Sequence, residues 1–237
     1  VPNILGAVYA GKGQHDEAVM YYNRVIDLKP DFAEVYSNLG ASLNDLDRNE
    51  EAVAAFNKAI ELKPDFHEAH NNLGNALNAL DRYEEAIVSL KKAINLKIDY
   101  IAALNNLGFA LIKLNKNEEA ITTFNKIIQF KPDYALAYHN LGIIESKLDR
   151  YESAILNFKK TIELSNTFFE VYGNLGNLLS VAGEFELAII YYKKMIELQP
   201  DFAKAYDNIG NALVELGQFN NATKCFESAI VLEPDLL

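Results

Sequence analysis

The sequence predicts an all-α solenoid, a stack of helix-turn-helix units that repeats every 34 residues. Three observations indicate this fold. Glycine recurs at a fixed interval, apolar residues within each unit follow spacings of three and four, and proline closes most units. The recurring glycines are Gly6, Gly40, Gly74, Gly108, Gly142, Gly176 and Gly210.

The segment Ala33–Phe66 illustrates one unit. Its first half, Glu34–Leu46, carries one apolar stripe with the spacing of an amphipathic helix. Residues 47–49 (Asp-Arg-Asn) then break the pattern with turn-forming side chains. A second apolar stripe follows in Glu50–Leu62, and Pro64 ends it because proline cannot continue a helix. Each unit is therefore predicted to be a pair of helices, here called helix A and helix B.

Three further rows of residues recur in helix B. An alanine row predicts close approach of two helix backbones, and its members are Ala18, Ala52, Ala86, Ala120, Ala154, Ala188 and Ala222. An aromatic or leucine row contains Tyr22, Phe56, Leu90, Phe124, Phe158, Tyr192 and Phe226. An isoleucine row, predicted to be core, contains Ile26, Ile60, Ile94, Ile128, Ile162, Ile196 and Ile230. Glycine inside a helix costs about 1 kcal/mol relative to alanine. Its recurrence in helix A predicts that no β-carbon fits there against the partner helix.

Composition excludes several classes of protein. Half of the residues are hydrophobic and 23% are charged, which is typical of a globular chain rather than a disordered one. The net charge of −11 disfavours nucleic acid and anionic membranes as partners. No apolar run approaches the roughly 18 residues that span a bilayer. The single cysteine, Cys225, precludes an internal disulfide and favours a reducing compartment, so a cytoplasmic location is predicted.

The chain resembles the tetratricopeptide repeat (TPR) family in its 34-residue period, its helix-A glycine and its helix-B alanine. The closing prolines Pro30, Pro64, Pro132, Pro200 and Pro234 belong to the same pattern. The resemblance implies a right-handed superhelix of seven TPR units, with helix A lining a concave groove and helix B outside. The predicted domain organisation is a single array over residues 1–237, and we expect it to be a fragment of a longer chain. Its repeats are predicted at about 1–32, 33–66, 67–100, 101–134, 135–168, 169–202 and 203–236.

The Asn-Leu-Gly variant of the repeat is most similar to the arrays of O-linked N-acetylglucosamine transferases and to similar bacterial TPR proteins. In those arrays the asparagine column clamps a peptide backbone, and an amide side chain suits that role because it is both donor and acceptor. By resemblance, the same role falls here on the asparagine ladder: Asn38, Asn72, Asn106, Asn140, Asn174 and Asn208. One helical turn further on, the candidate site continues with Asn75, Asn177 and Asn211. The alternative is that these asparagines only solvate a helix face or bond to a neighbouring repeat.

No pattern of catalytic residues is present in the sequence. It has no phosphate-binding loop, no nucleophile elbow and no zinc-type cysteine spacing, so we predict a non-enzyme without metal or cofactor. His67 and His70 are spaced as a metal pair could be, but His70 is better interpreted as replacing the helix-A aromatic seen at Tyr36 and Tyr138. Cys225 is interpreted as an unreactive packing residue.

Glu145 departs from the repeat, because the other units hold leucine or tyrosine at this helix-A position. A buried glutamate would need a partner or a raised pKa. We expect instead that Ile144 takes over the packing and that Glu145 turns towards solvent.

Three functions remain open from the sequence. The first is a protein–protein interaction scaffold that binds an extended peptide segment in the concave groove. The second is the substrate-recognition arm of a larger enzyme such as a glycosyltransferase. The third is a scaffold that self-associates head to tail through its end helices. The cations of a carboxylate clamp are missing and the inward charges are mostly acidic, so the favoured partner is a neutral to basic segment.

Overall fold

The computed structural model describes residues 2–234, which form α-helices joined by short turns, with no strand among them. The predicted all-α solenoid of seven helix-turn-helix units is confirmed. Odd-numbered helices are helices A and even-numbered helices are helices B. Their bounds are α1 Pro2–Gly11, α2 His15–Leu28, α3 Ala33–Asp45, α4 Asn49–Leu62, α5 His67–Ala79, α6 Tyr83–Leu96, α7 Ile101–Lys113, α8 Asn117–Phe130, α9 Ala135–Lys147, α10 Tyr151–Leu164, α11 Phe169–Val181, α12 Phe185–Leu198, α13 Ala203–Glu215 and α14 Phe219–Leu232.

The helices form two compact units, divided after Phe130. The first unit contains α1–α8, and the second contains α9–α14. Within each unit, the two helices of a pair pack against each other, and helix B also packs against helix A of the next pair. Helices A of neighbouring pairs touch as well, as α5 and α7 do in the first unit and α9 and α11 in the second. The grouping of all seven pairs into one continuous array stays a prediction.

The turn between helix A and helix B has the same backbone conformation in every pair. One residue has a positive φ, for example 57° at Asp47 and 78° at Gly183. Around Asp47, the amide of Arg48 donates to the carbonyl of Leu43 at 2.9 Å and the amide of Asp47 donates to Asn44 at 3.0 Å. These two bonds make a Schellman motif, which satisfies the last carbonyls of helix A. Only Gly, Asn and Asp occur at the positive-φ position, because these residues adopt the left-handed conformation most readily.

The recurring glycine of helix A lies against the aromatic or leucine row of helix B. A β-carbon built on Gly40 would lie 2.7 Å from Cε1 of Phe56, and the other recurring glycines face their own helix-B side chains in the same way. The rings are fully covered, with Phe56, Phe124 and Phe158 each at most 1% exposed. The prediction that no β-carbon fits at the helix-A glycine is therefore confirmed, and the structure shows that a helix-B side chain occupies the space of that β-carbon.

The isoleucine row was expected in the core, and the structure places it at the edge of the core, where Ile162 and Ile196 pack against buried residues. Its members are half-buried, and Ile230 is exposed. The buried position is the preceding residue, seven places after the row alanine. A helix turns by about 100° per residue, so that position returns close to the line of the alanine, whereas the isoleucine lies at the edge. The buried residues are Val25, Ala59, Ala93, Ile127, Thr161, Met195 and Ala229.

Of the two expectations at this position, the packing by Ile144 is confirmed and the exposure of Glu145 is wrong. Ile144 is buried and provides the packing. The Glu145 side chain, however, is only 13% exposed and lies 3.4 Å from Nη1 of Arg150. Glu145 is therefore covered and paired with arginine rather than turned into solvent.

No helix within residues 2–234 combines the length and the apolar character that crossing a bilayer would require.

The glycine contact gives a stability prediction. Gly40→Ala should lower the free energy of unfolding by about 1–3 kcal/mol, because the added methyl group forces the Phe56 ring to move in a packed core. The measurement is the urea midpoint followed by circular dichroism. Gly11→Ala is the matched control, since a β-carbon on Gly11 meets nothing within 4 Å. Equal midpoints for the two variants would contradict the packing argument.

Candidate functional site

The six ladder asparagines occupy equivalent positions on six helices A, and all are half-buried. Each precedes the packed glycine by two residues, so the rigid helix pair fixes its backbone. The second row, Asn75, Asn177 and Asn211, follows the glycine by one residue and is exposed. The structure thus places the ladder at the border of the core and the second row in solvent, on the same face of helix A.

In the second unit, these asparagines line two adjoining pockets. The first pocket has a volume of about 290 Å³, and its walls are Ile143, Ser146, Tyr151, Phe158, Asn174, Asn177, Leu178 and Val181. The second pocket has a volume of about 360 Å³, and its walls are Asn177, Ser180, Val181, Phe185, Tyr192, Asn208, Asn211, Ala212, Val214 and Glu215. Asn177 and Val181 belong to both pockets, so the two form one continuous groove, here called the helix-A groove.

Each wall residue of the first pocket has a counterpart 34 residues later in the second pocket. Tyr151 corresponds to Phe185, and Asn174 corresponds to Asn208. The chemistry of both pockets is the same mixture of amides, buried core side chains and one aromatic ring at the start of helix B. Glu215 occupies in the second pocket the position that Val181 occupies in the first, so the second pocket has a charged wall residue. The groove is therefore a repeated site and not a single cavity.

Three ladder amides bond to the preceding repeat. Nδ2 of Asn106 donates to Oδ1 of Asn71 at 3.1 Å, and Nδ2 of Asn208 donates to Oδ1 of Asn177 at 3.4 Å. Nδ2 of Asn174 lies 3.2 Å from Nε2 of His139. These bonds hold successive helices A together, as the alternative interpretation of the ladder supposed. They engage the amide nitrogens, which leaves the amide oxygens as the acceptors that these three side chains can offer to a ligand.

Asn177 is the most connected member of the second row. Its Oδ1 accepts from the hydroxyl of Tyr192 at 2.8 Å as well as from Asn208. The Tyr192 hydroxyl lies 3.3 Å from Oγ of Ser180. Burial raises the pKa of Tyr192, so the phenol stays protonated and acts as a donor. This network fixes the wall that the two pockets share.

His139 contacts the asparagine ladder, and sequence reasoning missed this contact. It is buried, its ring lies 4.5 Å from the Phe168 ring and 5.9 Å from the Phe158 ring, and it faces Asn174. Burial lowers the pKa of His139, although the charge of Glu170 acts in the opposite direction. Neutral imidazole can accept from Asn174 at Nε2, so the histidine fixes which way that amide points. Only the 34-residue alignment with Asn71 and Asn105 could have indicated this role.

The other histidines and the cysteine have structural surroundings. Nε2 of His70 lies 3.0 Å from the carbonyl of Pro64, as the Tyr138 hydroxyl does from Pro132 at 3.2 Å. His70 thus takes the place of the helix-A tyrosine, as expected. His67 contacts Glu68, and residues 2–234 contain no cluster of three metal-ligating side chains. Burial raises the pKa of the Cys225 thiol, which agrees with a packing residue of low reactivity.

Comparison with protein-family models identifies the repeat. Models described as TPR repeat or tetratricopeptide repeat match residues 6–46, 42–81, 74–115, 99–167, 169–202 and 203–236. The chain belongs to the tetratricopeptide repeat family. TPR proteins bind protein or peptide partners, and TPR scaffolds are typically non-catalytic. A search of curated proteins gave no significant match.

Solved TPR structures share the fold. The MamA protein is 26% identical with a TM-score of 0.67, and the match covers 71% of this chain and 92% of MamA. YrrB, described as a TPR protein with an unusual peptide-binding site, is 23% identical with a TM-score of 0.66 and coverage of 78% and 95%. A TPR protein from Parabacteroides merdae is 17% identical with a TM-score of 0.74 and coverage of 99% and 93%. At these low identities, the last two comparisons support the fold alone.

The surroundings of His139 predict a pH-dependent stability. Because its folded-state pKa is lowered, the unfolded state binds the proton more readily. The contribution of His139 is therefore fully present above its ordinary pKa of about 6.5, and is lost progressively as pH falls from there through the lowered folded-state pKa.

His139→Asn should flatten this dependence, because asparagine occupies the same position at Asn71 and Asn105 and can accept from Asn174. The measurement is the difference in urea midpoint between the chain and the variant at pH 7.5 and pH 5. The chain should lose more stability than the variant on acidification. An equal loss would contradict the argument.

Proposed function

We propose that this chain is an interaction scaffold that binds an extended peptide segment of a partner protein in the helix-A groove. The observation that carries the proposal is the pair of adjoining pockets in the second unit, each walled by ladder amides in the same arrangement. An extended peptide has unpaired backbone groups at regular intervals, and a row of amide acceptors at regular intervals suits them.

Charge defines the partner further. The net charge of the chain is −11, Glu215 lines the second pocket, and Asp207 holds Asn211 through a 3.3 Å bond. A segment with positive or neutral side chains is favoured over an acidic one by this arrangement. The proposed partner is therefore a neutral to basic extended segment.

The two other hypotheses remain predictions. A substrate-recognition arm of a larger enzyme would use the same groove, so peptide binding is common to both. Head-to-tail association would use the end helices and would be independent of the groove.

Peptide selection from a random display library, followed by calorimetric titration, tests the proposal. The double variant Asn174→Ala/Asn208→Ala should bind the selected peptides roughly tenfold or more weakly, because two hydrogen bonds of about 1 kcal/mol each are lost. Asn220→Ala removes an exposed asparagine from helix B and serves as the control.

Circular dichroism and a urea titration should show that the double variant remains folded. Binding of the same peptides by the double variant with unchanged affinity would show that the ladder serves only to join repeats.

A further inference from the structure

In the first unit, the aromatic side chain that corresponds to the wall of these pockets has a second ring beside it. Tyr83 begins α6, and its ring lies edge-on to the Phe109 ring of α7, with centroids 6.3 Å apart at 64°. Nζ of Lys113 lies 5.3 Å from the centroid of Phe109. In the 34-residue alignment, Tyr83 corresponds to Tyr151 and Phe185, the aromatic walls of the two pockets of the second unit. The chain's own Phe109 thus shows which chemical group fits against this wall.

In the two pockets of the second unit, the helix-A residue that corresponds to Phe109 is asparagine. Asn177 faces the pocket of Tyr151, and Asn211 faces the pocket of Phe185. The amide is much smaller than a phenyl ring, and among the described residues no ring takes its place. The volumes of the two open pockets are about 290 and 360 Å³. The groove therefore presents two aromatic walls without the ring that covers the equivalent wall in the first unit.

Beside the amides, each pocket exposes an aromatic ring and valine. The hydroxyl of Tyr151 donates to Oδ1 of Asp149 at 2.7 Å, which holds the ring in place. Tyr83 bonds to Asp81 in the same way. Val181, shared by both pockets, is 70% exposed, and Val214 is 40% exposed. Exposed valine beside an aromatic ring favours an apolar occupant, because the occupant removes both from water.

We propose that the bound segment supplies the missing rings, as two aromatic side chains that lie edge-on to Tyr151 and Phe185. This inference rests on the proposed peptide-binding function, and it specifies which side chains of the bound segment the groove selects. The ladder amides hold the backbone of the segment, and the two pockets select its sequence.

The repeat step fixes the spacing of the two side chains. Helices α11 and α13 are adjacent, since Asn177 and Asn208 are hydrogen-bonded across them. Because the two helices meet through side chains, we take their separation as roughly 10 Å, the upper end of the range for packed helices. A polyproline II segment rises about 3.1 Å per residue with three residues per turn, so residues i and i+3 point the same way about 9 Å apart. The segment is therefore predicted to carry aromatic residues three positions apart.

The charges around the two pockets predict a third feature of the bound segment, a cationic side chain. Lys113 lies over Phe109 in the first unit, and its counterparts in the two pockets are Val181 and Glu215. The cation over the ring is thus missing from both pockets, and the second has a carboxylate instead. If the bound segment carries a lysine or arginine next to the aromatic residue that enters the second pocket, this cation would pair with Glu215 and lie over the neighbouring aromatic ring of the segment.

The experiment uses blocked, proline-containing synthetic peptides with a fluorescent label and measures binding by anisotropy. The first peptide has phenylalanines three residues apart, followed by lysine. An isomer has the phenylalanines two residues apart, and a third peptide has alanine in place of both. The first peptide should bind at least tenfold more tightly than either of the others.

Two variants at one position isolate the pocket. Asn211→Phe introduces the ring that Phe109 provides in the first unit and should weaken binding of the first peptide about tenfold relative to Asn211→Ala. Both variants lose the amide and its bond to Asp207, so their difference reports only the filling of the pocket. The fold accepts phenylalanine at this register position, as Phe109 demonstrates.

The outcomes separate the two proposals. If all three peptides bind equally and Asn211→Phe behaves like Asn211→Ala, while Asn174→Ala/Asn208→Ala still weakens binding, the ring inference is overturned and backbone binding stands. If the double variant has no effect on peptides selected from the library, the proposed function is overturned and the ring inference with it. Discrimination by spacing together with blockage by Asn211→Phe supports both.

Discussion

The contact between a helix-A glycine and a helix-B side chain is the interaction on which every helix pair depends. The Phe56 ring fills the space that a β-carbon on Gly40 would take, and a helix-B side chain does the same at each of the other recurring glycines. Close approach of this kind fixes the rotation of helix A relative to helix B, because turning either helix would bring a larger side chain into the contact. The alanine row of helix B is buried in every pair as well, so its small side chains lie on the packed side of the helix.

This fixed register lets single residues change a surface without changing the fold. Phe109, Asn177 and Asn211 occupy equivalent backbone positions, yet Phe109 lies edge-on to the aromatic ring of the preceding helix B, whereas the two asparagines leave that ring without one. The backbone beneath them is the same because the glycine contact and the left-handed turn residue are the same. A repeat protein of this design can alter what its groove accepts one repeat at a time.

The sequence analysis treated peptide binding and the joining of repeats as alternative roles of the ladder asparagines, and the observed bonds are compatible with the proposed binding as well as with the joining of repeats. Their amide nitrogens bond to the preceding repeat at Asn106, Asn174 and Asn208, which ties neighbouring helices A together. The amide oxygens are then left for a ligand. Because the partner in the preceding repeat is Asn71 in one case and His139 in another, the orientation of each amide depends on a residue that belongs to a different repeat.

The sequence by itself determined the helix-turn-helix unit, the number of units and the position of the asparagine ladder, because all three follow from a 34-residue period that any copy reveals. It also determined that Gly40 and its counterparts meet a neighbour. Only the tertiary structure decided that Val25 and its counterparts, rather than the isoleucine row, are buried, that Glu145 pairs with Arg150, and that His139 faces Asn174. The period specifies what recurs along one helix, whereas these features depend on which side chains from separate helices meet, and that is decided by packing between helices.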